Sequence, residues 1–154
     1  MLKKPLADDV RPLDFRDMVG DRKLFGENGV FQKMLTVGHI PNMIFFGPSG
    51  TGKTTAAGIL ASASGKTLHR LNATNAGLAD VKAVIAESGS LLGSDGILLY
   101  LDEIQYFNKK QQQSLLEFIE DGRITLIAST TENPYFYIYP AIISRCATLS
   151  GITI

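Results

Sequence analysis

The chain has one cysteine, Cys146, so neither an internal disulfide nor a multi-cysteine metal site is open to it. No sign of charge dominates: 15 Lys+Arg stand against 15 Asp+Glu in 154 residues, a formal net charge of zero. That balance argues against a broad nonspecific nucleic-acid footprint, although a local basic patch stays open. Long apolar runs are missing. A run such as 97–101, matched in length but not exceeded elsewhere, falls far short of the ~20 residues of a membrane-spanning helix. Met1-Leu2-Lys3-Lys4-Pro5 leads into no apolar core of a signal peptide. Histidine is scarce. His39 and His69 have no acid or cysteine at ligand spacing, which favours structural or surface roles. These absences leave a soluble cytoplasmic protein as the expectation. At 45% hydrophobic and 19% charged the composition is that of a globular chain, and its length fits one domain with a real core.

Residues 1–28 carry Pro5, Pro12, Gly20, Gly26 and many charges, and read as an irregular arm. From 29 to 37 the apolar residues Val30, Phe31, Met34 and Leu35 fall at helical spacing. Beyond them, apolar strand candidates at 43–46, 67–71, 97–101, 124–128 and 147–149 alternate with helix candidates at 53–63, 78–87, 109–120 and 140–145. Short, fully apolar strands between helices predict a parallel sheet covered on both faces, a three-layer α/β fold with five strands. Ligands of such sheets sit at the carboxyl ends of the strands.

Gly47-Pro48-Ser49-Gly50-Thr51-Gly52-Lys53-Thr54 fits the phosphate-loop pattern, between a strand and a helix as that pattern requires. Its glycines let backbone N–H groups turn inward around phosphates, and the helix N-terminus adds partial positive charge. Gly47 to Thr55 are therefore the candidate nucleotide-binding residues, with Lys53 for the β- and γ-phosphates and Thr54 for Mg²⁺. The third strand ends in Asp102-Glu103. Asp102 is the candidate Walker-B acid holding Mg²⁺, and Glu103 the candidate general base that polarises water. The fourth strand runs out into Ser129-Thr130-Thr131-Glu132-Asn133-Pro134. A hydroxyl or amide there could hold the attacking water or the γ-phosphate, or the stretch could be plain turn chemistry. Arg145, in Ser144-Arg145-Cys146, reads either as an arginine finger or as a surface arginine. Tyr135, Phe136, Tyr137 and Tyr139 form an aromatic cluster that could stack on single-stranded bases or pack against a lid or neighbouring subunit.

These residues, with Pro5-Leu6-Ala7, Arg11-Pro12, Gly38-His39-Ile40-Pro41, Arg70-Leu71-Asn72-Ala73, Phe107-Asn108-Lys109-Lys110-Gln111-Gln112 and Thr130-Thr131-Glu132-Asn133-Pro134, resemble the clamp-loader group of AAA+ ATPases. More narrowly, they resemble the RarA/MgsA family of replication-associated recombination ATPases, relatives of the Werner-helicase-interacting protein. The resemblance implies a three-layer P-loop NTPase core and a DNA-dependent ATPase acting at stalled or damaged forks. It implies ATP and Mg²⁺, a homo-oligomer with ATP between subunits, DNA and single-stranded-DNA-binding protein as partners, no membrane, and a cytoplasmic, nucleoid-associated location. By position, Thr131 matches sensor 1, Arg145 the finger acting on the next subunit, and Asn72 the restraint on the catalytic glutamate. Val19 and Gly20 match the adenine-pocket segment, so the arm 1–28 is expected to complete that pocket beside a nucleotide-binding core at 29–154. Where the family has His-Arg, this chain has Gln105-Tyr106, and Ser49 stands where proline is common. The helical lid and the C-terminal oligomerisation region are expected to be absent, so weak turnover is expected of the chain alone. A P-loop kinase and a non-catalytic nucleotide-binding subunit are the alternatives. The presence of Glu103 with Lys53, Thr131 and Arg145 favours the ATPase.

Overall fold

Alternation along the strands decides which helix packs where. The computed structural model describes residues 29–48, 52–88 and 96–150. Its elements are α1 (Val30–Val37), β1 (Met43–Phe46), α2 (Lys53–Ser64), β2 (Thr67–Asn72), α3 (Leu78–Ser88), β3 (Ile97–Asp102), a 3-10 turn (Ile104–Tyr106), α4 (Lys109–Glu120), β4 (Ile124–Thr130), α5 (Pro134–Tyr137), α6 (Pro140–Arg145) and β5 (Ala147–Ser150). The five strands form one sheet in the order β2-β3-β4-β1-β5, with every pairing parallel.

Successive strand residues point to opposite faces. Met43, Phe45, Leu98, Tyr100 and Ile127 form one face and pack on Phe31 of α1 and on Ala56, Ala57 and Leu60 of α2. Ile44, Leu99, Leu101, Leu126 and Ala128 form the other, against Val81 of α3, Leu115 and Phe118 of α4, and Ile142 of α6. The strands are apolar at both parities because both faces are covered. Alanines on α2 let that helix lie close to the sheet. Each fully buried Leu or Ile contributes about 1.5–3 kcal/mol of burial free energy.

Two helix signals have clear causes. Asn108 caps α4 with a reciprocal box: its side chain accepts from the Gln111 N–H at 2.8 Å, and its own N–H donates to the Gln111 side chain at 2.9 Å. Gln112, one residue on, is buried and staples three segments. Its amide nitrogen donates to the Phe107 carbonyl at 2.9 Å and the Tyr137 carbonyl at 3.3 Å, and its oxygen accepts from the Tyr139 N–H at 2.6 Å. The Phe107–Gln112 segment thus fixes where α5 and α6 leave β4.

The predicted strands and longer helices are found, with ends shifted by a residue or two. Two differences matter. β4 runs on through Ser129 and Thr130, both fully buried, so these are strand and not turn. Asn133 and Pro134 do start a local structure, the short helix α5, whose Asn133 cap accepts from the Tyr135 N–H. Among the described residues no helix is long and apolar enough to cross a membrane.

Candidate functional site

The same alternation that builds the core delivers polar side chains to one corner. Leu98, Tyr100 and Asp102 share the face of β3 that looks at α2, and Ile127, Ser129 and Thr131 continue the matching face of β4. At the carboxyl ends of these strands the apolar run stops and the polar groups meet.

The loop after β1 closes on α2 through Gly52, whose φ of 104° is a left-handed conformation suited to glycine. Lys53 opens the helix and is 5% exposed. Its ammonium donates to the Gly47 carbonyl at 2.5 Å, folding the side chain back toward the end of β1. Burial pulls the Lys53 pKa below its ordinary range, while the charges of Asp102 and Glu103 work against that shift. The lysine therefore lies within electrostatic reach of both acids.

Asp102 accepts a short hydrogen bond from the Ser129 hydroxyl. The Tyr100 hydroxyl, two residues earlier on the same face, hydrogen-bonds with Ser129 and Thr54. Burial raises the Tyr100 pKa, which keeps it a neutral phenol here. Tyr100 thus joins Thr54 at the start of α2 to the Asp102 corner. Glu103 is, among the described residues, the one non-glycine with positive φ (57°). That left-handed turn costs roughly 1–2 kcal/mol, and it ends β3. The Glu103 Oε2 accepts from the Thr131 hydroxyl at 3.2 Å and, more closely, from the Gln105 amide nitrogen.

The structure therefore gathers Gly47, Gly52, Lys53, Thr54, Asp102, Glu103 and Thr131 at one end of the sheet, with Thr55 in the first turn of α2. Pro48 follows Gly47 at that end. Val19, Gly20, Ser49, Gly50 and Thr51, and the arm 1–28 as a whole, lie outside the described residues. Asn72 is at the end of β2, level with Asp102, but its side-chain oxygen is turned to Thr74, accepting from that residue's N–H at 2.9 Å and hydroxyl at 2.7 Å. The hydrogen bonds that reach Glu103 come instead from Gln105 and Thr131.

Arg145 stands apart. It ends α6, two residues before Ala147, which pairs with Met43 at the start of β1. That is the amino-end edge of the sheet, opposite the loop at Gly47. Its guanidinium pairs with Glu120 at 3.2 Å, with both side chains about half exposed. Glu120 is the last residue of α4, a 12-residue helix and so about 18 Å from that helix's start beside β3. Tyr135, Phe136 and Tyr137 are exposed by 68%, 81% and 52%, so they belong to no core of the described residues. Burial pushes the Cys146 thiol up to about 12, which makes it unreactive at neutral pH.

Tyr100 was not singled out from the sequence, and Ser129 was named only within the stretch 129–134. The signal was there: one phenol in an otherwise aliphatic strand, Ile97-Leu98-Leu99-Tyr100-Leu101, at the parity of Asp102.

The chain is similar to known proteins in sequence and in fold. The chain is 39% identical over 142 residues to the replication-associated recombination protein A of Haemophilus influenzae, covering 92% of this chain and 32% of that protein. It is 39% identical over 143 residues to the ATPase WRNIP1 of Dictyostelium discoideum, covering 92% of this chain and 16% of that one. The chain thus spans a third or less of the length of these relatives. Among solved structures, the Thermotoga maritima RuvB Holliday junction branch migration motor superposes with a TM-score of 0.73 at 26% identity, over 91% of this chain and 48% of that one. The fold is that of the three-layer P-loop NTPases. The family model described as "ATPase family associated with various cellular activities (AAA)" matches residues 43–153, well over half of the sequence, and the chain belongs to that family.

Proposed function

We propose that this chain is the ATP-binding and ATP-hydrolysing core of a DNA-dependent ATPase that works in replication-fork maintenance, recombination and repair. The observation that supports it most is the convergence of Lys53, Asp102, Glu103 and Thr131 at the carboxyl ends of β1, β3 and β4.

In this reading the loop from Gly47 to Thr55 wraps the phosphates. Lys53 leaves the Gly47 carbonyl for the β- and γ-phosphate oxygens, exchanging one neutral acceptor for several charged ones. The phosphates restore a full charge to an ammonium that burial otherwise disfavours. Thr54 and Asp102 would hold Mg²⁺. Their hard oxygen donors, joined through Tyr100 and Ser129, suit an ion that takes few protein ligands and keeps waters and phosphates for the rest. Bound there, the ion neutralises charge on the phosphate oxygens. Glu103 takes a proton from the attacking water, and Thr131 donates to that water or to the γ-phosphate. Arg145 is too far from its own chain's loop to help. It serves as the finger for the ATP of a neighbouring subunit, in a homo-oligomer.

The arm 1–28, with Val19 and Gly20, would complete the adenine pocket. DNA and single-stranded-DNA-binding protein as partners come from similarity to the recombination proteins. The test is ATP turnover against protein concentration, with and without a forked DNA, and with Glu103→Gln as control. A rate that rises faster than linearly, increases with DNA and vanishes in the variant supports the reading. Turnover that persists in Glu103→Gln, or responds to a small metabolite and not to DNA, overturns it.

A further inference from the structure

Gln105 sits in the middle of the 3-10 turn that follows Glu103. The turn is rigid: the Tyr106 N–H donates to the Glu103 carbonyl at 3.1 Å, the Phe107 N–H to the Ile104 carbonyl at 2.9 Å, and Ile104 is fully buried. Gln105 and Glu103 are thus held on one short turn, and the Gln105 Nε2 donates to the Glu103 Oε2. Chemistry fixes that orientation. An ionised carboxylate can only accept, so the nitrogen must face it.

The other end of the amide is unsatisfied. Gln105 Oε1 is buried and accepts no hydrogen bond among the described residues. A buried carbonyl without a donor forfeits its hydration. This conformer therefore sets one favourable contact, a charge-assisted bond to Glu103, against one unfavourable one. Turning the side chain outward reverses both: Oε1 regains water and Glu103 is released. The two terms oppose each other.

The held state has a chemical consequence. Gln105 and Thr131 donate to the same oxygen, Oε2, so that oxygen's lone pairs are occupied. A proton from water must then go to Oε1, on a carboxylate whose orientation the two bonds fix. Asn72, the residue that the family resemblance assigns to restraining the glutamate, accepts from Thr74 through its oxygen, and among the described residues the side-chain hydrogen bonds to Glu103 come from Gln105 and Thr131.

We propose that Gln105 is a positioning residue that clamps Glu103 in a resting orientation, and that outward rotation of its amide frees the carboxylate to accept a proton from water. This rests on the reading of Glu103 as the general base.

The test is single-turnover ATP hydrolysis, with the chain in excess, for Gln105→Met and Gln105→Glu. Methionine keeps the length and removes the donor; glutamate removes the donor and repels Glu103. The clamp predicts a rate increase of about tenfold, the scale of one hydrogen bond to a charged group, with ATP affinity unchanged. Melting curves identify which variant is folded, and one folded variant suffices. A rate that is unchanged or slower, with ATP affinity intact, overturns the clamp. Adding Glu103→Gln to either variant should abolish the gain. If Glu103→Gln alone leaves the rate untouched, the base assignment has failed and the clamp falls with it. If it abolishes the rate while Gln105→Met is flat, only the clamp has failed.

Discussion

The Thr131 hydroxyl lies 3.2 Å from the Glu103 carboxylate and donates to it across the ends of β4 and β3. That is long for an O–H···O bond, so it is a weak contact in the nucleotide-free chain. Thr131 then has a donor ready for water or phosphate at low cost. Thr131→Val should lower single-turnover hydrolysis about tenfold, one hydrogen bond's worth, and leave ATP affinity within about twofold. Thr131→Ser, which keeps the hydroxyl, should retain most of the rate. Equal losses in both variants would mean that the methyl group, and not the donor, matters.

Lys53 sets function against stability. Its pKa is held below 10.5 by burial, against the pull of Asp102 and Glu103. The unfolded chain then binds more protons than the folded one between the depressed value and 10.5. Stability of the nucleotide-free chain should accordingly rise with pH through that window. Lys53→Met removes the titrating group. It should abolish ATP binding, melt no lower than wild type at neutral pH, and lack the rise in stability as pH climbs toward 10.5. Thermal melts across that range check the sign.

Adjacent glutamines should behave differently. Gln112 is buried and bonded to Phe107, Tyr137 and Tyr139, whereas Gln113 is exposed. Gln112→Leu strands one N–H and two carbonyls and should cost about 1–3 kcal/mol in chemical denaturation. Gln113→Ala should change stability by less than about 0.5 kcal/mol.

Much of this was legible in the sequence because the fold is periodic. Strands such as 97–101 are apolar at both parities, which only a doubly covered sheet explains, and the glycine-rich loop has few other uses. Ser129 and Thr130 misled because their residue types favour turns, while their burial is set by the neighbouring strands β3 and β1. Local composition carries no record of such neighbours. For Asn72 the position along β2 was readable, but the turn of its side-chain oxygen toward Thr74 is a matter of rotamer and local turn. Gln105 stood out as a departure from a pattern, and only its geometry, one end on Glu103 and the other unpaired, gives it a role.

Arg145 supplies a test of assembly that activity of one variant alone cannot give. It sits at the amino-end edge of the sheet, the far edge from the Gly47 loop. Its ion pair with Glu120 is half exposed, a class of contact that contributes about 0–1 kcal/mol. Glu120→Ala should therefore leave turnover unchanged, and a loss in Arg145→Ala cannot be assigned to that pair. If the guanidinium acts on a neighbour, Arg145→Ala has an intact base and no finger to lend, while Glu103→Gln has a finger and no base. Each should be inactive alone. Mixed, some interfaces combine a working Glu103 with a partner's Arg145, and turnover should return in proportion to such interfaces. Turnover that stays at the sum of the two inactive proteins, in a mixture shown to co-assemble, would place Arg145 outside the reaction.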